Sequence, residues 1–586
     1  MTSLAGITYT VNINKPQTHY VGVVMDIPGG SDSIDVKLPV WIPGSYMVRE
    51  YAKNIESFNA TNFKGELLTW KKIRKNVWRI YDLKKSGNIQ VSYDVYAYRL
   101  TVRTCFVNAQ YGYLNAPAFI MYTDEFRNDS LEITFNYPNS WSNLSTALKR
   151  KDDNKNIRVA GTYDELVDCP IALGNATTFK FEYNGIPHDV AVFGEVALDT
   201  SQLKEDIFKI VDESSKIYGA NPLKDYLFIF HVFPKGHGGL EHMNSTSMIA
   251  DPAAFVPGDR YRKMMSLVSH EYFHLWLVKR IKPKSLIQIN YDEEMYTSLL
   301  WLFEGFTSFY DDYIVARAGI HNQHQYLESV VDNIETTINT PGDQIQSVAE
   351  ASYDAWIKFY RSNENSKNST VSYYSKGAMI ATAINLHIIH ETKGKKSLND
   401  VMKELYEMHL ADPAFGVTES NILSIFLDVT GLDMSGFFKD HIYGTIPIDY
   451  NKYLGYAGIE LIRTDGHRAV SGDLGATIIA GNDFLRVQRV RRNGPAWESG
   501  LNVNDKIIAI NNKDVADDIS LINDIEIGEE VTFTVLRMGA TYDINVTAVP
   551  SLVQDLEVTF FKKLNEQQEL VRMKWIGGME DSNSSR

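Results

Sequence analysis

The hydrophobic period changes twice along the chain, and this sets its organisation more firmly than any single motif. Up to about residue 190, apolar residues alternate: Ile34, Val36, Leu38, Val40 and Ile42; then Val91, Tyr93 and Val95; then Leu131, Ile133 and Phe135. A repeat of two marks strands with one buried face. Pro28-Gly29-Gly30, Pro43-Gly44-Ser45 and Pro138-Asn139-Ser140 supply turns between them. A β-sandwich-like domain is predicted for residues 1–190. From residue 201 the repeat lengthens to helical spacing at Leu203, Ile207, Ile210 and Val211. A strand-like run at 226–233 follows, then helical patterns at 266–281, 298–316, 376–390, 398–409, 420–427 and 435–441. These predict a helix-rich domain over residues 191–450. Short strands return after residue 450, at 531–537 and 542–549, with a helix at 519–525. A third domain is expected over 451–555, then a tail at 556–586 ending in the polar residues 581–586. The expected class is multidomain α+β.

Composition narrows the function. A chain of 586 residues is too long for one core. Its 44% hydrophobic and 22% charged residues exclude collagen, coiled coil and extended disorder. Asp and Glu number 73 against 58 Lys and Arg, a net charge of −15. Basic runs are no longer than residues 71–75, so nucleic acid is not an expected partner. Cys105 and Cys169 are the only cysteines; they allow one disulfide but fit a reducing compartment equally well. Residues 1–27 lack a basic leader with an apolar core, and no apolar run reaches 18 residues. The expectation is a cytoplasmic protein without a membrane span.

The chemistry centres on His270-Glu271-Tyr272-Phe273-His274. Residues four apart on a helix share a face, so both imidazoles reach one ion. Glu271, beside the first, is placed to take a proton from water on that ion. A catalytic zinc keeps one position open and needs a third protein ligand. Glu293 follows His274 after 18 residues (275–292), within the acidic run Asp292-Glu293-Glu294, which reads as a solvated loop. Glu304 follows after 29 residues (275–303), inside Leu300-Trp301-Leu302-Phe303-Glu304-Gly305-Phe306-Thr307. A lone carboxylate among aromatic residues is costly to bury unless it is paired or metal-bound. Glu304 is therefore the predicted third ligand.

Trp301-Leu302-Phe303-Glu304-Gly305-Phe306 resembles the helix that supplies the glutamate ligand in aminopeptidase N-type gluzincins. The longer spacing, and the continuation Val278-Lys279-Arg280-Ile281-Lys282-Pro283, resemble the glycyl aminopeptidase family, gluzincins that carry a PDZ domain. Trp41-Ile42-Pro43-Gly44-Ser45-Tyr46-Met47-Val48-Arg49-Glu50-Tyr51 and Tyr163-Asp164-Glu165-Leu166-Val167-Asp168 are also similar to that family. The resemblance runs over nearly the whole chain. It implies an N-terminal β domain, a thermolysin-like catalytic domain and a PDZ-like domain.

Several residue roles come from the resemblance alone. Gly238-Gly239-Leu240-Glu241-His242 is similar to the Gly-x-Met-Glu-Asn segment, whose glutamate holds a substrate's free α-amino group while the strand aligns its backbone. Glu241 would then be the counter-ion, with Gly238, Gly239 and His242 beside the substrate; His242 departs from the usual Asn. Tyr373-Tyr374-Ser375-Lys376-Gly377-Ala378 matches Tyr-x-Lys-Gly-Ala, whose tyrosine stabilises the oxyanion. This marks Tyr374, with Tyr373 as the fallback. Asp311, two turns after Glu304, is either a partner for a zinc-binding histidine or simply solvent-exposed beside Asp312. Asn493-Gly494-Pro495-Ala496 and Gly500-Leu501 resemble a bacterial PDZ domain; either residues 472–478 form a nest for a peptide C-terminus or the domain merely packs on the catalytic unit.

The expected function is zinc-dependent hydrolysis of the N-terminal peptide bond of peptides with a free N-terminus, with one Zn²⁺ per chain. Water on the ion attacks and Glu271 is the base; the family implies glycine and alanine as preferred residues. The alternatives are a zinc endopeptidase, a zinc hydrolase of esters or epoxides, and a PDZ-based peptide-binding scaffold with a vestigial zinc site.

Overall fold

A computed structural model of the chain describes residues 6–29, 32–83, 87–464, 472–516 and 518–579. Gly30, expected in a turn, and the polar end 581–586 lie outside them. The chain divides into two compact units: residues 1–295 with 406–416, and residues 296–405 with 417–586.

In the first unit, the alternating segments form a seven-stranded sheet ordered Lys149–Lys151, Asn154–Ala160, Leu131–Asn136, Thr8–Asn12, Tyr20–Ile27, Ile89–Tyr96, Ile55–Asn62. Strand Tyr20–Ile27 buries every second side chain, as its period requires. Thr8–Asn12 and Leu131–Asn136 pair in parallel, a long-range connection that local pattern does not reveal. Val11, Val23, Met25, Val91 and Ile133 share one core with Val36 and Trp78 of a three-stranded sheet and Leu114 and Leu173 of a four-stranded sheet. Two apolar faces closing on one core make the expected sandwich-like layer. The alternation at Leu38, Val40 and Ile42 does not continue as strand: regular pairing stops at Lys37, and Val40, Trp41 and Ile42 are all buried.

A second, five-stranded sheet follows, ordered Ala176–Tyr183, Ile186–Phe193, Tyr226–Val232, Ser245–Ala250, His237–Glu241. Tyr226–Val232 has parallel neighbours on both sides and buries all but its last residue, which explains its continuous apolar run. Helix Thr200–Tyr218 makes the crossover between the first parallel pair. Its start is capped by Asp199, which accepts from Ser201 N–H and Gln202 N–H at 3.0 and 3.1 Å. His237–Glu241 is the sheet's outer strand, and helix Asp259–Phe273 packs against it.

The second unit is built around helix Tyr373–Glu391, which is buried on nearly every face. Helices Gly305–Arg317, Gln323–Ile338 and Glu566–Ile576 pack on it. The last of these lies in the stretch read from sequence as a tail. Its Val571, Trp575 and Ile576 are buried, and Trp575 Nε1 donates to the Tyr326 hydroxyl at 3.1 Å. Strand Asp555–Phe560, also in that stretch, pairs with Ile459–Thr464. The PDZ-like sheet carries its own core of Leu485, Val487, Ile507, Val531, Phe533 and Val546. Asn368 ties that sheet to the helices: its Nδ2 donates to Val490 O at 2.8 Å, and its Oδ1 accepts from Arg492 N–H at 2.9 Å.

Among the described residues no helix is long and apolar enough to cross a membrane. Cys105 and Cys169 are separate buried thiols, not a disulfide.

Candidate functional site

The helix expected at 266–281 is Asp259–Phe273, and it stops at His274. The physical reason lies in the next turn. Leu277 O faces His274 Nδ1 at 3.0 Å, and Val278 N–H donates to Ile281 O at 2.8 Å instead of continuing the helix. Val278 takes φ +86°, a left-handed conformation costing a β-branched residue about 1–3 kcal/mol. This turn fixes the imidazole. A bond from Nδ1 to a carbonyl requires the proton on Nδ1, which puts the ring's lone pair on Nε2. That Nε2 lies 3.1 Å from His270 Nε2, with the two rings 85° apart.

Glu304 is 2% exposed and stands where helix Leu300–Phe303 runs into Gly305–Arg317. Leu300, Trp301, Leu302, Phe303, Phe306 and Thr307 are buried around it. One ligand atom from each of His270, His274 and Glu304 lies within 4.8 Å of the others, the only such group of three or more among the described residues. Two imidazole nitrogens and one carboxylate oxygen are the donor set of a zinc site with an open position. Glu293 is exposed in a loop and is outside this group; Asn290 Nδ2 donates to its Oε1 at 2.8 Å.

Glu271, 4% exposed, lies against the outer strand. A Cβ on Gly239 would come within 2.1 Å of Glu271 Oε1, so only glycine at this position leaves the carboxylate its place. Gly238 and Gly239 pair with Ile249 and Met248 on the inner side of that strand. Gly239 O accepts from Arg103 Nη2 at 3.2 Å.

Glu241 ends the same strand at 4% exposure, lining a cavity of about 560 Å³ within the first unit. Among the described residues its carboxylate has no hydrogen-bond donor and no ion-pair partner. Asp168, Lys279 and His242 are committed to one another. Asp168 Oδ1 takes Lys279 Nζ at 2.6 Å and faces His242 Nδ1 at 3.4 Å; its Oδ2 accepts from Met243 N–H at 2.7 Å. Burial alone would raise the Asp168 pKa, but Lys279 and His242 outweigh it and hold the carboxyl far below the usual range. His242 is thus oriented by Asp168 rather than turned to solvent, with 2% exposure. Sequence reasoning missed Asp168 and Lys279 as anchors, although both stand in the segments that carried the family resemblance.

In the second unit, Tyr374 is half-buried and its hydroxyl lies 3.3 Å from that of Tyr360. Burial first, then the charge of Glu304, pushes its pKa well above the ordinary tyrosine value, so the hydroxyl stays protonated. Tyr373 is fully buried against Phe359 and Tyr374. Lys376 of the same motif is spent on a buried ion pair with Asp343 at 2.5 Å. Asp311 is half-buried, and its Oδ1 accepts from Asp312 N–H at 2.6 Å.

The nest predicted at 472–478 is partly filled by the chain itself. Asp473 Oδ1 accepts from Gly475 N–H at 2.7 Å and its Oδ2 from Leu552 N–H at 2.9 Å. Gly472 N–H donates to Ile525 O and Asp473 N–H to Val549 O, both at 2.7 Å.

Comparison with known proteins agrees with this layout. Residues 8–175 match the model of the peptidase M61 N-terminal domain, residues 263–380 that of the M61 glycyl aminopeptidase, and residues 472–548 that of a PDZ domain. The crystal structure of an aminopeptidase N family protein from Idiomarina loihiensis superposes with a TM-score of 0.89 at 28% identity, over 98% of this chain and 100% of that one. Aminopeptidase N of Caulobacter vibrioides is 25% identical over 200 residues, 34% of this chain; the match spans 20% of that relative's length. The chain thus carries an M61-type N-terminal domain and an M61 glycyl aminopeptidase domain, followed by a PDZ domain.

Proposed function

We propose that the chain is a zinc-dependent aminopeptidase that removes the N-terminal residue of peptides, with glycine and alanine preferred. The observation that carries the reading is the facing pair of imidazoles, Nε2 to Nε2 at 3.1 Å, with the His274 proton held on Nδ1 by a backbone carbonyl. His270, His274 and Glu304 would hold the ion. When bound, zinc supplies a Lewis acid that polarises the scissile carbonyl and makes water acidic near neutral pH.

The remaining roles belong to the chain. Glu271 accepts the proton of the attacking water and returns it to the leaving amine. Tyr374, kept protonated by burial and by the Glu304 charge, donates a hydrogen bond to the developing oxyanion. Glu241 binds the substrate's ammonium group. A carboxylate at 4% exposure with no donor among the described residues is costly to keep, and a cationic ligand offsets that cost. Gly238 and Gly239 on the outer strand align the substrate backbone as an added strand would.

The test is release of free amino acid from glycine and alanine amides, set against amides of larger residues, with and without a chelator. Chelator-sensitive release restored by Zn²⁺ and favouring the small residues is expected. Absence of turnover of every free-amine substrate by zinc-loaded protein would remove the reading.

A further inference from the structure

Trp41-Ile42-Pro43-Gly44-Ser45-Tyr46 is a conspicuous motif that the proposed chemistry leaves without a task. It belongs to the first unit, as Glu241 does. The segment is tied down at every step. Trp41 Nε1 donates to Asn290 O at 2.8 Å and Val40 N–H to Tyr291 O at 2.9 Å. Ser45 N–H closes the turn on Ile42 O at 3.0 Å, and the Ser45 hydroxyl accepts from Arg49 Nη2 at 2.7 Å. Trp41, Ser45 and Tyr46 are at most 1% exposed. So much fixing of a loop that carries no catalytic group points to a positional role.

Its tip shows what is positioned. Gly44 adopts φ +85°, a conformation that disfavours every residue with a Cβ. A Cβ there would also lie 2.4 Å from Glu241 Oε1 and 2.8 Å from its Cδ and Oε2. The backbone conformation calls for glycine, and any Cβ there would displace the Glu241 carboxylate from its place. Both residues line the same cavity of about 560 Å³.

We infer that the Pro43-Gly44-Ser45 turn is the specificity-determining wall of the amine pocket, seating the Glu241 carboxylate so that it receives a primary ammonium group. The inference rests on the proposed role of Glu241 and extends it to a part of the chain that carries no metal ligand. Among the described residues Glu241 has no donor to orient it, so steric confinement by the rigid turn replaces the hydrogen bonds that normally hold a buried carboxylate. Gly44 acts through Glu241 and is a positioning residue.

The experiment uses the zinc-loaded full chain and two inhibitors, alanine hydroxamate and its des-amino analogue, propionohydroxamate. Both present the same group to the metal, and only the first carries an amine. The wild type is expected to bind the amino compound at least about tenfold more tightly. Gly44→Ala should abolish most of that preference while leaving the affinity for the des-amino compound within about twofold. Ser45→Ala removes the acceptor of Arg49 without touching the glycine backbone, so it covers the case in which Gly44→Ala does not fold. It should lower the preference by about twofold to fivefold. A preference that survives both variants unchanged overturns the inference and leaves the amine reading standing. A wild type without preference, equally unaffected by Glu241→Gln, overturns both.

Discussion

Two places in this chain are candidates for meeting the end of a peptide, and their carboxylates differ. At the PDZ-like loop, Asp473 spends both oxygens on backbone amides of its own chain, Gly475 N–H and Leu552 N–H. At the outer strand of the catalytic sheet, Glu241 is more deeply buried and has no such donor among the described residues. A carboxylate with internal donors is part of the fold. One held without them is costly unless a cation or water meets it. The difference supports the proposal that the ammonium end of a peptide is the one bound. The loop that would receive a terminal carboxylate has a backbone amide already bonded, and a negative charge beside it.

The largest effect that sharpens this contrast is catalytic. Glu271→Gln keeps the side-chain volume and removes the base, and activity should fall about 10²–10⁴-fold in a steady-state assay. Next comes stability. Lys376 and Asp343 form a buried pair at 2.5 Å, and Lys376→Met should cost about 3–5 kcal/mol in chemical denaturation by stranding a buried charge. Glu241→Gln should cost nothing or stabilise the chain, because it removes a charge that has no internal partner. Equal destabilisation by the two substitutions would break the comparison.

A third prediction concerns acid. Burial pushes the His231 pKa from its ordinary value down to about 3. The unfolded chain takes up that proton first, so the contribution of neutral His231 is complete above about pH 6.5. It is lost as pH falls toward 3, by up to about 1.4 kcal/mol per pH unit. His231→Gln should flatten the Tm-against-pH curve between pH 6 and 4. An unchanged slope would show that other groups set the acid limit. The smallest effect is a gain. Asp473→Gly frees Gly475 N–H, and binding of C-terminal peptides, measured by fluorescence polarisation, should rise by at least about tenfold over wild type. Strong binding by the wild type would contradict the reading of that loop.

Much of the candidate site was legible because its signals are local. Residues four apart on a helix meet whatever the rest of the chain does, and Glu304 stands out as one charge in an apolar run. The alternation at Val91, Tyr93 and Val95 likewise belongs to strand Ile89–Tyr96. What was hidden depends on contacts distant in sequence. Nothing near Thr8 announces its parallel pairing with the strand at Leu131. Helical spacing at 266–281 overran the helix because the stop is made by the Leu277 carbonyl and the strained Val278, which no propensity marks. Residues 556–586 read as a tail because the partner of Trp575, Tyr326, is distant in sequence. Gly44 was visible only as a turn residue; its contact with Glu241 joins positions far apart in the chain.

The most direct test of the central claim compares initial rates on alanine 4-nitroanilide and its N-acetyl derivative, for zinc-loaded wild type and Glu241→Gln. The account predicts that wild type turns over the free amine at least about a hundredfold faster, and that Glu241→Gln loses most of this ratio through the free-amine substrate. Equal rates on the two substrates, or a ratio unchanged in Glu241→Gln, would contradict it.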